Sequence, residues 1–219
     1  MREPFIGSEA IAAGVLTKTQ LATRCRRVFP DIYVERDVDI TAALRAKASW
    51  LWTGRRGVVA GFAAAALHGS GWIDDAQVVE LIHDNRRGPP GIQTHRDRIG
   101  EDEIEIIAGM PVTSPARTAL DFGCWYPTMT AVAGIDALAC ATDVKAVDVE
   151  MLVSDMPAVG ASQERAKRWA YSMPVPSLRK SPGLGSCSYR RACLDRRHKF
   201  PCATNLEARS HISIWAGKT

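Results

Sequence analysis

Regular hydrophobic spacing stops well before the end of this 219-residue chain. Up to about residue 157, apolar residues recur at helical or strand intervals. Residues 172–202 are instead dominated by Ser, Arg, Cys, Pro and Gly, with neither period. A chain can bury a core only where such a pattern exists. We therefore expect a folded region over residues 1–157 and a disordered tail over residues 158–219.

The net charge of the chain changes sign at nearly the same place. Residues 1–160 hold 16 Lys and Arg against 21 Asp and Glu, a balance of −5, whereas residues 161–219 hold 12 against 3, a balance of +9. Such asymmetry is typical of a basic arm that binds nucleic acid. No apolar run is long enough to span a membrane, and the N-terminus has no signal-peptide core. The sequence therefore favours a cytoplasmic protein without a membrane partner.

Helical and strand patterns alternate after residue 36, which predicts an α+β domain over residues 37–157, a small mixed sheet with packed helices. The period of 3.6 predicts helices over residues 39–52, 58–68, 132–139 and 147–153. Alternating or short apolar runs predict strands over residues 78–83, 92–96 and 104–108. The segment 58–68 is small and apolar on all sides, so we expect that helix to be buried.

The first 36 residues predict a short helix-turn-helix-like segment. Residues 8–14 and 16–22 have helical spacing, the second with Thr17 or Thr19 as N-cap, and residues 28–34 resemble a strand. In this interpretation Arg24, Arg26 and Arg27 would contact DNA phosphates. An equally weighted alternative is a small helical cap on the main domain, with its arginines solvated.

Residues 109–123 predict a strand-to-helix junction. Val112 and Thr113 end a strand, Ser114 is a good N-cap, and Pro115 occupies the first helical position, where its missing N–H costs nothing. Arg117 and Asp121 lie four residues apart on one helix face and are expected to pair.

Several residues that could carry chemistry lie near two neighbouring strand ends: His83, Asp84, His95, Arg96 and Asp97. A His–Asp acid–base pair or a metal site can be drawn from them, but hairpin ends collect such residues routinely. Glycine-rich phosphate loops, Cys-x-x-Cys pairs and nucleophile elbows are absent from the sequence. We therefore predict no catalytic residue, metal, cofactor or small-molecule substrate.

The six cysteines separate into two groups. Cys25, Cys124 and Cys140 are scattered, and we expect them to be buried thiols. The tail carries Cys187, Cys193, His198 and Cys202 at spacings that match no common zinc pattern.

The junction at residues 111–121 resembles the signature P-V-T-S-P-x-R-T-x-x-D of AbiEi-type antitoxin C-terminal domains. More closely, the chain is similar to an actinobacterial, mycobacterial-type family that joins such a domain to a C-terminal PD-(D/E)xK/Vsr-like endonuclease domain. Residues 16–34 fit the family pattern L-T-x-x-Q-L-x-x-x-x-R-R-x-F-P-x-x-Y-V, and residues 94–97 fit one of its strands. The resemblance implies structural roles for the signature residues Thr113, Ser114, Pro115, Arg117, Thr118, Asp121, His95 and Arg96. It implies DNA or a cognate toxin protein as partner.

The tail is interpreted as an out-of-frame segment. Codons allowed for residues 182–219, read from each third base, can encode an apolar helix, a G-x-P-x-P-x-x-Q-x-P-V-R segment and the string D-M-G-W, all of which resemble the family. We infer a frameshift near residues 157–163, so that the tail replaces the nuclease-like domain. The family's acidic residues, which would hold Mg²⁺, are then not encoded in frame.

Three functions follow, in this order. The first is a truncated, catalytically inactive member of the family that keeps at most a DNA- or protein-binding role. The second is a DNA-binding transcriptional regulator, the antitoxin of a toxin–antitoxin or phage-defence operon. The third is an enzyme related to Mg²⁺-dependent endonucleases.

Overall fold

The computed structural model describes residues 3–71, 73–85 and 87–155, which form an α+β fold. Within this part the helices are α1 (Gly7–Ala12), α2 (Lys18–Arg24), α3 (Ala42–Trp52), α4 (Gly61–Leu67), α5 (Pro115–Trp125), α6 (Thr128–Ala141) and α7 (Ala146–Asp155). The strands are β1 (Phe5–Ile6), β2 (Cys25–Phe29), β3 (Ile32–Glu35), β4 (Val58–Ala60), β5 (Val79–Ile82), β6 (Ile92–His95), β7 (Ile104–Ile107) and β8 (Met110–Thr113). The predicted tail over residues 158–219, with its expected disorder, lies outside the described residues.

The N-terminal strands form a small antiparallel sheet with the order β1-β3-β2. The single strand predicted over residues 28–34 is wrong, because the chain reverses there and β2 pairs with β3. Asp31 makes the turn with a positive φ of 61°, and a short polar residue adopts this conformation more easily than most. A Pro-Asp pair between two apolar runs is itself a turn signal.

A five-stranded mixed sheet forms the centre of the main domain, with the order β6-β5-β4-β8-β7. The pairs β4–β8 and β5–β6 are parallel, and the pairs β4–β5 and β7–β8 are antiparallel. The predicted strands over residues 78–83, 92–96 and 104–108 are confirmed as β5, β6 and β7.

The helix predicted over residues 58–68 is wrong in its first turn. Val58–Ala60 is β4, the central strand of the large sheet, and α4 starts only at Gly61. Gly61 has a positive φ of 57°, which breaks the path of the chain between strand and helix. A short run that is apolar on all sides has no period that distinguishes a buried strand from a buried helix.

The core lies on both sides of the large sheet. On one side α3 packs over Val59, Leu81 and Val112, and Phe29 and Ile32 of the small sheet belong to the same hydrophobic cluster. On the other side, Val58, Ala60 and Ile82 pack against Trp125. A further cluster joins α4, α5, α6 and α7. The predicted boundary at residue 36 follows the end of β3, and the first cluster runs across it.

Candidate nucleic-acid interface

Helix α2 has a well-defined start. The Thr17 side chain accepts a hydrogen bond from the Gln20 N–H at 3.2 Å, and the Gln20 side chain accepts one from the Thr17 N–H at 2.9 Å. This reciprocal capping box satisfies two N–H groups that a helix start leaves without partners. Thr17, and not Thr19, is therefore the N-cap.

The turn between α1 and α2 passes through Gly14, whose φ is 69°, and Leu21 anchors α2 in the core. Arg24 ends α2, and the next residue, Cys25, is buried and begins β2. The two short helices predicted over residues 8–14 and 16–22 correspond to α1 and α2, and an antiparallel hairpin follows them.

Two of the three predicted DNA-binding arginines are exposed. Arg24 and Arg27 both present their side chains to solvent. Arg26 is half-buried, and its Nη2 group donates a hydrogen bond to the Val38 carbonyl. Arg26 therefore holds the hairpin against the segment that leads into α3, and its charge is less available for a phosphate.

The segment around α2 is free of acidic residues. Residues 10–30 contain Lys18 and the three arginines but no Asp or Glu, although residues 1–160 as a whole are acidic. Lys18, Arg24 and Arg27 are all exposed. Because acidic side chains repel phosphate, their absence from this stretch favours contact with an anionic partner.

The acidic residues on either side of this segment are engaged in local contacts. The Glu9 carboxylate accepts two hydrogen bonds from the Arg55 guanidinium, at 2.8 and 2.7 Å, and this pairing lowers the pKa of Glu9. Asp31 accepts hydrogen bonds from the Ser8 N–H at 3.1 Å and the Ser8 hydroxyl at 2.5 Å. Glu9 is thus neutralised by a cation from outside the segment.

The junction at residues 113–118 has the predicted geometry. The Ser114 side chain accepts from the Arg117 N–H at 3.3 Å, and Pro115 is the first helical residue of α5. Thr113 and Thr118 are buried with their hydroxyl oxygens 2.7 Å apart. The Thr118 hydroxyl also lies 2.9 Å from the Ser114 carbonyl oxygen. These residues fix where β8 ends and α5 begins.

The predicted Arg117–Asp121 pair is confirmed and is completely buried. Arg117 Nε donates to Asp121 Oδ1 at 3.0 Å, and Arg117 Nη1 donates to the Arg98 carbonyl at 3.1 Å and to the Glu103 carboxylate. One buried guanidinium therefore ties α5 to the loop before β7 and to the turn at Glu101–Glu103. Its burial places it out of reach of a ligand.

The strand ends at His83 and His95 do meet, because the His83 N–H donates to the His95 carbonyl at 2.9 Å. Their side chains do not converge. His95 is in register with Ile82 in the parallel β5–β6 pair, so His83, the next residue along, points to the opposite face. The His83 and His95 side chains therefore do not form one site. His83 Nδ1 instead accepts from the Asn85 N–H at 3.0 Å.

His95 belongs to a buried polar group that the sequence did not predict. Its ring stacks on Trp125 with the ring centres 3.6 Å apart and the planes 6° from parallel. Its Nε2 lies 3.4 Å from Glu80 Oε1, and the Tyr126 hydroxyl donates to Glu80 Oε2. Burial, followed by the neighbouring Glu80 charge, raises the pKa of Tyr126. Arg96, the next signature residue, is exposed.

A signal for this group was present in the sequence. Glu80 interrupts the apolar strand run of residues 78–82, and a carboxylate in a buried strand requires hydrogen-bond partners. Tyr126 and Trp125 come from the end of α5, 45 or more positions along the chain, so strand spacing alone could not identify them. The group joins the sheet to α5.

The described residues were compared with the requirements of a metal site and of a membrane-spanning helix. Within residues 3–71, 73–85 and 87–155, no group of three or more His, Cys, Asp or Glu side chains is placed to hold a metal ion. In the same part of the chain, no helix combines the length and apolar character that crossing a membrane requires. The tail cysteines and His198 lie outside these residues.

Comparison with models of known protein families, and with curated protein sequences, gave no match to this chain.

Proposed function

We propose that the chain is a DNA-binding protein of the AbiEi-antitoxin-like type and that it has no nuclease activity. The observation that carries this proposal is the set of exposed basic side chains on α2 and β2, two elements that themselves contain no acidic residue. Lys18, Arg24 and Arg27 are exposed there, and no acidic residue occurs between positions 10 and 30. The resemblance of residues 16–34 and 111–121 to the antitoxin-like family supports the same assignment.

In this proposal α2 approaches the duplex and the β2–β3 hairpin lies beside it. Arg24 at the end of α2 and Arg27 in β2 are three positions apart, and each would neutralise a backbone phosphate. Phosphate contacts position a protein on DNA and supply salt-dependent affinity without reading the sequence. The half-buried Arg26 supports the hairpin and contributes less to binding.

The test is fluorescence anisotropy of a labelled duplex DNA with the full chain, measured between about 50 and 200 mM salt. The variant Arg24→Ala/Arg27→Ala is expected to bind on the order of tenfold more weakly. It should also flatten the slope of log K against log salt by about 2, since each phosphate contact contributes about 0.9. The matched control is Arg87→Ala/Arg98→Ala, which removes two exposed arginines from another part of the surface. Equal losses in both double variants would contradict the proposal.

The absence of nuclease activity rests on the tail. The acidic strings of the family have no in-frame counterpart in residues 161–219, and hydrolysis by that family type requires carboxylates that hold Mg²⁺. Sequencing the coding DNA is the direct test. We expect the nuclease-like segment in the next reading frame from about residue 160. Mg²⁺-dependent cleavage of DNA by the purified chain would refute the assignment.

A second candidate is a transcriptional regulator that uses the tail as a basic arm, and the +9 balance of residues 161–219 favours it. A full-length variant with Arg190, Arg191, Arg196 and Arg197 replaced by Gln separates the two candidates. If the arm carries DNA binding, this variant loses most of its affinity and Arg24→Ala/Arg27→Ala loses little. The opposite pattern supports the α2 surface. A cognate toxin as partner would be detected by co-purification from its operon.

A further inference from the structure

The β7–β8 hairpin determines which backbone groups of β7 face away from the sheet. Its two-residue loop, Ala108 and Gly109, has positive φ angles of 50° and 77°, as a type I′ turn requires. The residues beside such a loop, Ile107 and Met110, form a hydrogen-bonded pair. Hydrogen-bonded and non-hydrogen-bonded pairs then alternate along the hairpin.

Alternation assigns Ile104 and Ile106 to non-hydrogen-bonded positions. Two contacts agree with this assignment. The Ser114 N–H donates to the Glu103 carbonyl at 2.8 Å, which places the odd-numbered residues on the inward side. Pro111 lies opposite Ile106, at a position where a missing N–H does not weaken the β7–β8 pairing. The N–H and C=O groups of Ile104 and Ile106 therefore point outward from the sheet.

β7 is an edge strand, and no described strand pairs with its outer side. The two faces of this edge differ in character. Ile104 and Ile106 project on one face, where Ile106 is 70% exposed, and Glu105 projects on the other with half of its side chain exposed. The opposite edge, β6, carries no comparably exposed apolar residue: Gln93 is polar, and His95 packs against Trp125.

Charge determines which strand can pair with this edge. Residues 101–107 contain Glu101, Asp102, Glu103 and Glu105 and no basic residue. The Glu103 carboxylate is occupied by Arg117, whereas Glu101, Asp102 and Glu105 are exposed. A second copy of β7 paired antiparallel with its centre at Glu105 would place Glu105 opposite Glu105, and like charges directly opposite destabilise a strand pair. A strand with basic side chains would instead place opposite charges beside Glu105, which stabilises a strand pair.

We propose that the outer edge of β7 is a docking site for an extended segment of a partner protein with alternating basic and apolar side chains. Its backbone would pair with the outward groups of Ile104 and Ile106. Its apolar side chains would cover Ile106, and its basic side chains would lie beside Glu105. Adding a strand in this way combines main-chain hydrogen bonds with side-chain selection. The site is separate from the α2 surface, so the docking proposal does not depend on whether the chain binds DNA.

The probe is a fluorescently labelled hexapeptide that alternates lysine and valine, titrated with the full chain. A block-order peptide of three lysines followed by three valines has the same composition and charge but cannot place the two residue types on opposite faces. We expect the alternating peptide to bind at least about tenfold more tightly than the block-order peptide. Equal affinity for the two peptides would overturn the proposal.

Variants locate the binding to the edge. Glu105→Lys and Ile106→Lys are each expected to weaken binding of the alternating peptide by about fivefold or more. The first places a positive charge beside the lysines of the probe, and the second places a charge against its valines. Val147→Lys adds the same charge at a residue of α7 that is 51% exposed and should leave binding unchanged. Equal losses in Ile106→Lys and Val147→Lys would overturn the proposal. So would a concentration-dependent dimer in light scattering that Ile106→Lys abolishes, because the occupant would then be a second copy.

Discussion

The Nε atom of Arg117 lies 3.0 Å from Oδ1 of Asp121, and neither side chain has any exposed surface. An ion pair at this depth is stabilising only while both partners and their hydrogen bonds are present, because an unpaired buried charge is costly. Arg117 also meets Glu103 and the Arg98 carbonyl. A single side chain therefore satisfies acceptors from three segments.

Replacement of Arg117 by alanine is expected to reduce the free energy of unfolding by about 3–5 kcal/mol, because it leaves Asp121 buried without its cation. Urea unfolding followed by circular dichroism measures the loss. Arg96→Ala, at an exposed residue, is the control and should change stability by less than about 0.5 kcal/mol. The double variant Arg117→Leu/Asp121→Leu should be more stable than Arg117→Ala. A double variant that is less stable would contradict the explanation by an uncompensated charge.

Tyr126→Phe tests the buried group around Glu80. The substitution keeps the ring that packs against Phe62 at 4.8 Å but removes the hydroxyl that donates to the Glu80 carboxylate. Loss of a hydrogen bond to a charged group costs about 1.5–3 kcal/mol. The difference between the urea unfolding curves at neutral pH gives this value. A variant as stable as the parent protein would show that the Glu80 carboxylate has another sufficient donor.

Tyr126 is also expected to make the stability of the fold depend on pH above the neutral range. Burial and Glu80 raise the pKa of Tyr126 in the folded state, so the folded state retains the phenolic proton when the unfolded state has lost it. The stabilising contribution is therefore complete below the unfolded pKa of about 10 and decreases as the pH rises above it. Melting temperatures between pH 8 and 11 should fall more steeply for the parent than for Tyr126→Phe. Parallel curves would refute the assignment.

Ala108→Gly is expected to stabilise the chain. Ala108 has a φ of 50°, which costs a residue with a Cβ about 1–2 kcal/mol relative to glycine. The greater freedom of glycine in the unfolded chain offsets about 0.4–1 kcal/mol of this gain. A net increase of roughly 0.5–1 kcal/mol in unfolding free energy should result. Ala133→Gly, at an exposed position within α6, is the control and should destabilise by a similar amount. Destabilisation by Ala108→Gly would contradict a strained turn.

The sequence predicts those parts of the fold that depend on near neighbours. The Ser114 cap, the position of Pro115 and the Arg117–Asp121 spacing all involve residues within four positions of one another, and each is confirmed. The strands β5, β6 and β7 have apolar runs flanked by turn residues, so their type is also predicted from local patterns.

The errors arise where a distant contact decides the local structure. Residues 58–60 are as apolar as a buried helix, and only their pairing with β5 and β8 makes them a strand. Glu80 is paired with Tyr126 across 46 positions, a relationship that periodicity does not encode. Burial of Arg117 by the loop at Arg98 is likewise a property of the assembled domain.

The geometry at Gly61 restricts the order in which this protein can change over evolutionary time. A side chain at position 61 would overlap the Glu80 carboxyl group, which would then have to leave Tyr126 and His95. Replacement of Gly61 first would therefore disrupt the buried group and strain a backbone whose φ is 57°. If a smaller residue first replaces Glu80, only the backbone strain remains. In descendants of this protein that lack Gly61, we therefore expect Glu80 to have been replaced before Gly61 was.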